Sequence, residues 1–233
     1  MTDVEFDRYK CLTFDVVGTL IDFEAGIVDF FKSIEATQSP ETVLAAFGEA
    51  ESLQQNLTPT IPFTQMLAPI YLHMAKALAL PVEHEHLFKE SIPNWPAFPD
   101  SIEALKKLKK RFRLVALTNS DNWALQHMQD TLESPFDDTV TAEDVGVNKP
   151  DPQVFAYCAG RQSAHGVQRN EILHVAQSQY HDIGIAMQLG YTTCWIERRR
   201  DQAGYGATPT PDVKTEPDLH FSTLIELAEF VGG

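Results

Sequence analysis

Short apolar runs that alternate with stretches of helical spacing constrain this chain more than any other feature. The runs "KCLTFDV", "FRLVALTN", "EILHVAQ" and "YTTCWIE" read as buried strands, with "DDTVTAED" a weaker fifth. Between them, "DSIEALKKLKKR", "NWALQHMQDTL", "DPQVFAYCAG" and "YHDIGIAMQLG" read as helices, and Asp100 and Asp121 stand where N-caps belong. Strands alternating with helices predict an α/β fold, a parallel sheet covered on both faces. The alternation fails between about Phe23 and Trp95, where "SPETVLAAFGEAESLQQ" and "PFTQMLAPIYLHMAKALAL" are helical and no strand pattern occurs. The expected organisation is a helical cap, residues 22–95, inserted after the first strand of a core made of 1–21 and 96–233.

Charge narrows the partners. With 18 basic against 33 acidic residues the net charge is −15, which repels phosphate backbones and anionic membranes. No nucleic acid and no membrane partner is expected, and the run Arg198-Arg199-Arg200 reads as a solvated loop. Cys11, Cys158 and Cys194 lack metal-type spacing and read as small buried residues, not a disulfide framework. No run approaches the ~20 apolar residues of a membrane helix, and "MTDVEFDRYK" has no apolar leader core, so a soluble, cytoplasmic protein is expected. The apolar face of "MLAPIYLHMAKALAL" covers either the core or a second subunit, which leaves a homodimer open.

Ligands of open parallel sheets bind at the carboxyl ends of the strands. The polar residues at those ends are Asp15 followed by Gly18-Thr19, then Thr118-Asn119-Ser120, Lys149 of "VNKP", and Gln177, Ser178 and Asp182 of "HVAQSQYHD". One aspartate at a strand end is usually a cap, and one Lys-Pro pair is usually a turn. Four segments converging on one edge in this order are evidence for a site.

In that order the segments resemble the four motifs of the haloacid dehalogenase superfamily: "FDVVGTL", "LTNS", the lysine of "NKPDP", and "HVAQSQYHD". The resemblance implies a Rossmann-like three-layer core with a mobile cap, and a covalent ester on Asp15. "WPAFPDS" and "VNKPDPQVF" resemble the L-2-haloacid dehalogenase, or type II, branch in particular. A carboxylate becomes a competent nucleophile once stripped of water and held in line with an electrophilic carbon. Lys149 is expected to lower the pKa of Asp15 and attract an anionic organic acid, Thr19 to orient Asp15 or to cap the following helix, and Asp182 to pair with Lys149 or help activate water. Thr118, Asn119, Gln177, Ser178 and the backbone N–H groups at Val16 and Val17 are the expected substrate contacts.

Val17 separates two reaction classes. In the phosphatase branches the second residue after the nucleophile is an aspartate, which protonates the leaving alcohol; a halide needs no proton. Where those branches have Gly-Asp in the fourth motif, this chain has Ala176-Gln177, so no cofactor is expected and magnesium is disfavoured. The chain also departs from the dehalogenases. It has no arginine between Phe14 and Phe88, where that branch carries a halide-receiving one, and it has Phe155 for a tyrosine. Gln54, Gln55, Asn56 and Gln65 are the remaining cap candidates. The leading expectation is a hydrolase acting at a carbon next to a carboxylate, with halide as leaving group. Opening of a strained cyclic amino acid, phosphoester hydrolysis and non-catalytic binding stay open as alternatives.

Overall fold

The computed structural model describes residues 6–202 and 204–232. Six parallel strands form one sheet: β1 (Cys11–Phe14), β2 (Arg113–Thr118), β3 (Asp138–Thr141), β4 (Ile172–Ala176), β5 (Thr192–Ile196) and β6 (Leu219–Phe221), in the order β3-β2-β1-β4-β5-β6. Helices flank it: α1 (Phe23–Ser33), α2 (Pro40–Leu57), α3 (Phe63–Leu78), α4 (Glu85–Glu90), α5 (Ser101–Leu108), α6 (Asn122–Thr131), α7 (Ala142–Val145), α8 (Pro152–Ser163), α9 (Gly184–Gln188) and α10 (Leu224–Gly232). The expected α/β architecture is the one observed, with a sixth strand added. That strand escaped the pattern because it is three residues long and buries only Leu219 at the sheet edge.

The sheet is covered on both faces, as its continuous apolar runs require. Along β2, Leu114 and Ala116 pack into one cluster with Phe14, Leu105 and Leu227, while Val115 and Leu117 face the other with Val154, Phe155 and Cys158. All three cysteines are free and buried. Among the described residues no helix is long and apolar enough to cross a membrane.

Helices α1 to α4 fill the stretch between β1 and β2. Ser39 caps α2 by accepting from Thr42 N, with Pro40 at the first helical position. The apolar face of α3 is buried inside the chain, through Phe63, Met66, Leu67, Ile70, Tyr71 and Met74. That face therefore covers this chain's own core, not a second subunit. Trp95 closes the stretch as an anchor, 1% exposed, its ring 6.4 Å from Phe23 and 6.2 Å from Phe63. A Cβ on Gly26 would lie 2.4 Å from that ring, so only glycine admits the approach.

Three local expectations are corrected. Asp100 does not cap α5; its carboxylate accepts from Leu224 N and Ile225 N at the start of α10 and from Arg198 at 2.8 Å. Arg198 is accordingly buried, and its guanidinium also donates to the Thr19 carbonyl at 3.0 and 2.8 Å, while Arg199 pairs with Glu24. Arg198 and Arg199 thus tie the β5–β6 connection to the turn after β1 and to α1, while Arg200 lies at the surface as expected. Finally, "YHDIGIAMQLG" opens as a π-turn over Gln179–Ile183 before α9. The wider turn brings Ser178, His181 and Asp182 to one cavity.

Candidate functional site

The strand order reverses direction at β1, which pairs with β2 on one side and β4 on the other. The carboxyl ends of these strands therefore border one crevice. Asp15 directly follows β1, its N–H bonded to the Val175 carbonyl at 3.0 Å. Gly18, at φ +85°, lets the chain turn back so that Leu20 N and Ile21 N both reach the Val16 carbonyl. The turn sets the Thr19 hydroxyl to donate to Asp15 Oδ2 at 2.6 Å and to accept from Gln177 N at 2.8 Å. Thr19 thus orients Asp15 and ties β1 to β4. It does not cap α1, a role Asp22 fills through Ala25 N.

Lys149 enters from the far side. Its ammonium donates to Asp15 Oδ1 at 2.9 Å, to Asp182 Oδ1 at 2.6 Å and to the Leu117 carbonyl at 2.9 Å. Asn119 holds the Lys149 backbone from both sides, accepting from Lys149 N at 2.6 Å and donating to Lys149 O at 3.0 Å. The Asn119 amide thus places the lysine, and its second N–H is left for a ligand in the cavity it lines. A buried relay that the motif reading missed lies behind Asp182: His174 Nε2 meets Asp182 Oδ1 at 3.0 Å, and Thr13 Oγ1 meets His174 Nδ1 at 2.9 Å. A donor is needed toward the carboxylate, so the Nε2–H tautomer fits, with Thr13 donating to Nδ1. The one hint in the sequence was a polar pair, Thr13 and His174, at matching places in two buried strands.

Electrostatics divides the two carboxylates. For Asp182, burial pushes upward, but Lys149 and His174 prevail and hold it at about 2. For Asp15, burial dominates; Lys149 pulls the other way, the Asp182 charge adds to the rise, and the net direction is upward. The expectation that Lys149 lowers Asp15 holds for the lysine's own contribution and is outweighed by desolvation. Lys149 itself pays for burial, yet the two carboxylates raise it above the ordinary lysine value and keep it charged. Asp15 is the more basic carboxylate, with a permanent cation beside it.

A cavity opens over these groups. Of the expected site residues, Asp15, Val17, Thr118, Asn119, Lys149, Gln177, Ser178 and Asp182 line it. Val16 turns its side chain into the apolar core and uses its carbonyl to close the turn, which leaves only its N–H as the expected contact. Thr118 Oγ1 accepts from Ser120 N at 3.2 Å, which leaves its own proton for a ligand. Ser178 Oγ accepts from His181 N. Asp182 Oδ2 is buried with no hydrogen-bond partner among the described residues. Helices α2 and α3 supply the roof through Glu51, Gln55, Phe63 and Met66. Of the remaining cap candidates, Gln54 bonds Thr58, while Asn56 and Gln65 are exposed and off the cavity. Two contacts hold the roof to the core beside the opening: Asp121 accepts from Thr64 N at 3.2 Å and from its hydroxyl, and Asn148 donates to Pro59 O at 2.7 Å.

Glu51 was missed because a glutamate in a helix reads as solvent-facing. It is 8% exposed, and burial pushes its carboxyl from 4.5 up to about 8. The folded state therefore holds this proton more tightly than the unfolded state does. The resulting stability is complete below pH 4.5, falls as pH rises, and is gone above about 8. Glu51→Gln should unfold at a temperature near that of the parent at pH 5 and clearly higher at pH 9. Equal pH dependence in the two proteins would contradict the burial of this acid.

A model of haloacid dehalogenase-like hydrolases matches residues 9–186. (S)-2-Haloacid dehalogenase 4A of Burkholderia cepacia is 25% identical over 215 residues, which is 87% of this chain and 89% of that protein. Pyrimidine 5'-nucleotidase YjjG of Escherichia coli (strain K12) is 27% identical over 124 residues, 52% of this chain and 54% of that one. The crystal structure of the L-2-haloacid dehalogenase PA0810 superposes with a TM-score of 0.77 at 23% identity, covering 96% of this chain and 99% of the other. At that identity the match speaks for the fold.

Proposed function

Because the chain belongs to the haloacid dehalogenase-like hydrolase family, we propose that it removes halide from small 2-haloacids through an ester on Asp15. The observation that carries this reading is Val17: an apolar side chain lines the cavity two residues after a buried carboxylate, where phosphoester cleavage needs an acid. The Burkholderia cepacia relative, named a dehalogenase, supports the same substrate class.

An Asp15 oxygen attacks the carbon that bears the halogen. The carbon–halogen bond breaks with its electron pair on the halide, and the substrate is held as an ester. Water then attacks the Asp15 carboxyl carbon. The 2-hydroxy acid departs with one proton of that water, the other goes to solvent, and the carboxylate is restored. Burial strips Asp15 of hydration for the first step, with Thr19 and Lys149 holding its direction. In the second, Asp182 lines the cavity, and its Oδ2, without a hydrogen-bond partner among the described residues, is an acceptor for the water. A carboxylate held at about 2 is a weak base, so its share is to orient the water.

No metal is needed in this scheme. The ammonium of Lys149 already bonds the two carboxylates that would face magnesium, and Gln177 replaces a third. That donor set is a poor fit to magnesium's octahedral demand. A second reading, opening of a strained cyclic amino acid, is favoured by one observation: Lys149 is the only lysine or arginine among the described lining residues. The unpaired cysteines support placing the enzyme in the cytoplasm.

A panel of 2-haloacids, cyclic amino acids and phosphoesters, assayed with and without chelator, tests the proposal. Halide release from 2-haloacids, unchanged by chelation, is the expected result. Phosphoester turnover that is lost on chelation and regained with magnesium would overturn it.

A further inference from the structure

Glu51 belongs to the buried stripe of α2 that also carries Val43, Phe47, Ala50 and Gln54. It is the only acid on that stripe, and it faces the cavity that holds Asp15. A carboxylate in such a place needs a cation or several donors to replace its hydration. Among the described residues neither is present: burial pushes its carboxyl up, and the ammonium of Lys149 is committed to Asp15, Asp182 and the Leu117 carbonyl.

The groups around it are these. Across the cavity stand Asp15, Lys149, Asp182 and His181, the last lowered to about 4 by burial and so uncharged. On α1, Glu24 is paired with Arg199, and Asp29 with Lys32 at the surface. On α2 itself Glu41 and Glu49 are exposed. On α3, Lys76 is exposed and His73 half-buried, and neither lines the cavity. Residues 204–209 bring Tyr205 and no charge.

We infer that Glu51 stands over the site as an uncharged carboxylic acid whose O–H donates a hydrogen bond to the departing halide, in the place a cation would otherwise take. The inference rests on the dehalogenation reading. Hydrogen chloride, bromide and iodide are strong acids, so the proton stays on Glu51 while these halides leave with the bonding pair. Ionised, Glu51 would repel both the substrate carboxylate and the halide, and would have no proton to donate. The roof thus contributes a donor that works only while it is neutral.

Halide release from 2-chloropropionate and chloride-ion binding, the latter followed by broadening of the chloride NMR signal, are measured between pH 5 and 10. Wild type is expected to lose activity and chloride affinity about tenfold per pH unit above about 8. Glu51→Gln keeps a neutral N–H donor; it should stay within about tenfold of wild type at pH 7 and lack the alkaline fall. Glu51→Ala should lose about 100-fold in turnover at pH 7, with weaker chloride binding. An undiminished Ala variant, or an unchanged alkaline fall in Gln, overturns the inference. So does a Gln variant as inactive as Ala, since that would mean a proton is transferred, which a halide does not require. If wild type releases halide from no 2-haloacid, the dehalogenation reading fails and chloride binding decides alone. Affinity lost above pH 8 in wild type but not in Gln then upholds the donor, and a pH-independent affinity rejects it.

Discussion

Asp15→Asn abolishes turnover in the mechanism proposed here, with kcat expected to fall by roughly 10⁴-fold or more. An amide oxygen carries no full charge and cannot form the ester. The substitution should leave the fold intact, because Lys149 keeps Asp182 and the Leu117 carbonyl, and the Thr19 hydroxyl still accepts from Gln177 N. A single turnover of wild type in heavy-oxygen water separates the covalent route from direct attack by water. In the covalent route the label enters Asp15 first, because water attacks the enzyme's carboxyl carbon, and it reaches product only in later turnovers. Label in the first product, with none on Asp15, would refute the ester. Retention of more than a few per cent of activity by the Asn variant would refute the nucleophile.

Much of the frame was legible because it follows from period and position. β1, β2, β4 and β5 are mainly apolar runs, as strands buried on both faces tend to be, and their polar ends gather at one crevice by topology. What stayed illegible depends on contacts between distant segments. Asp100 sits where an N-cap belongs, but which helix its carboxylate serves is decided by α10, more than a hundred residues on. The arginine run looked solvated because nothing local shows that Asp100 and Glu24 await it. Asn119 stands at the crevice as expected, but its second task, holding the backbone of Lys149, depends on a partner thirty residues away. Val16 and Val17 are neighbours of the same type on opposite sides of a turn, and only the turn tells core from cavity. Glu51 is the sharpest case. Its place on the stripe is visible in the spacing from Val43 and Phe47, but a charged residue on an apolar stripe is conventionally discounted, and only the folded chain buries it and so pushes its carboxyl up.

Lys149→Met tests how far stability and catalysis depend on one cation. The Lys149 side chain is 1% exposed, and those of the carboxylates it bonds are 8% and 0%. Removing it leaves two buried carboxylates without a counter-charge, a change that costs about 3–5 kcal/mol when one partner of a buried pair is lost. Protonation relieves part of that cost, and the more basic carboxylate takes the proton first. That carboxylate is Asp15, which burial already pushes up, and not Asp182, which His174 still supports. A protonated Asp15 is no nucleophile, so the variant should be both less stable and close to inactive. Adding Asp182→Asn separates the two effects. With one charge fewer to bury, the double variant should regain a measurable part of the lost stability in denaturant unfolding. It should regain none of the activity, because Asp15 still lacks the cation that keeps it ionised and in place. Recovery of turnover together with stability would show that Lys149 serves only to neutralise the pair, and that the nucleophile is held by Thr19 alone.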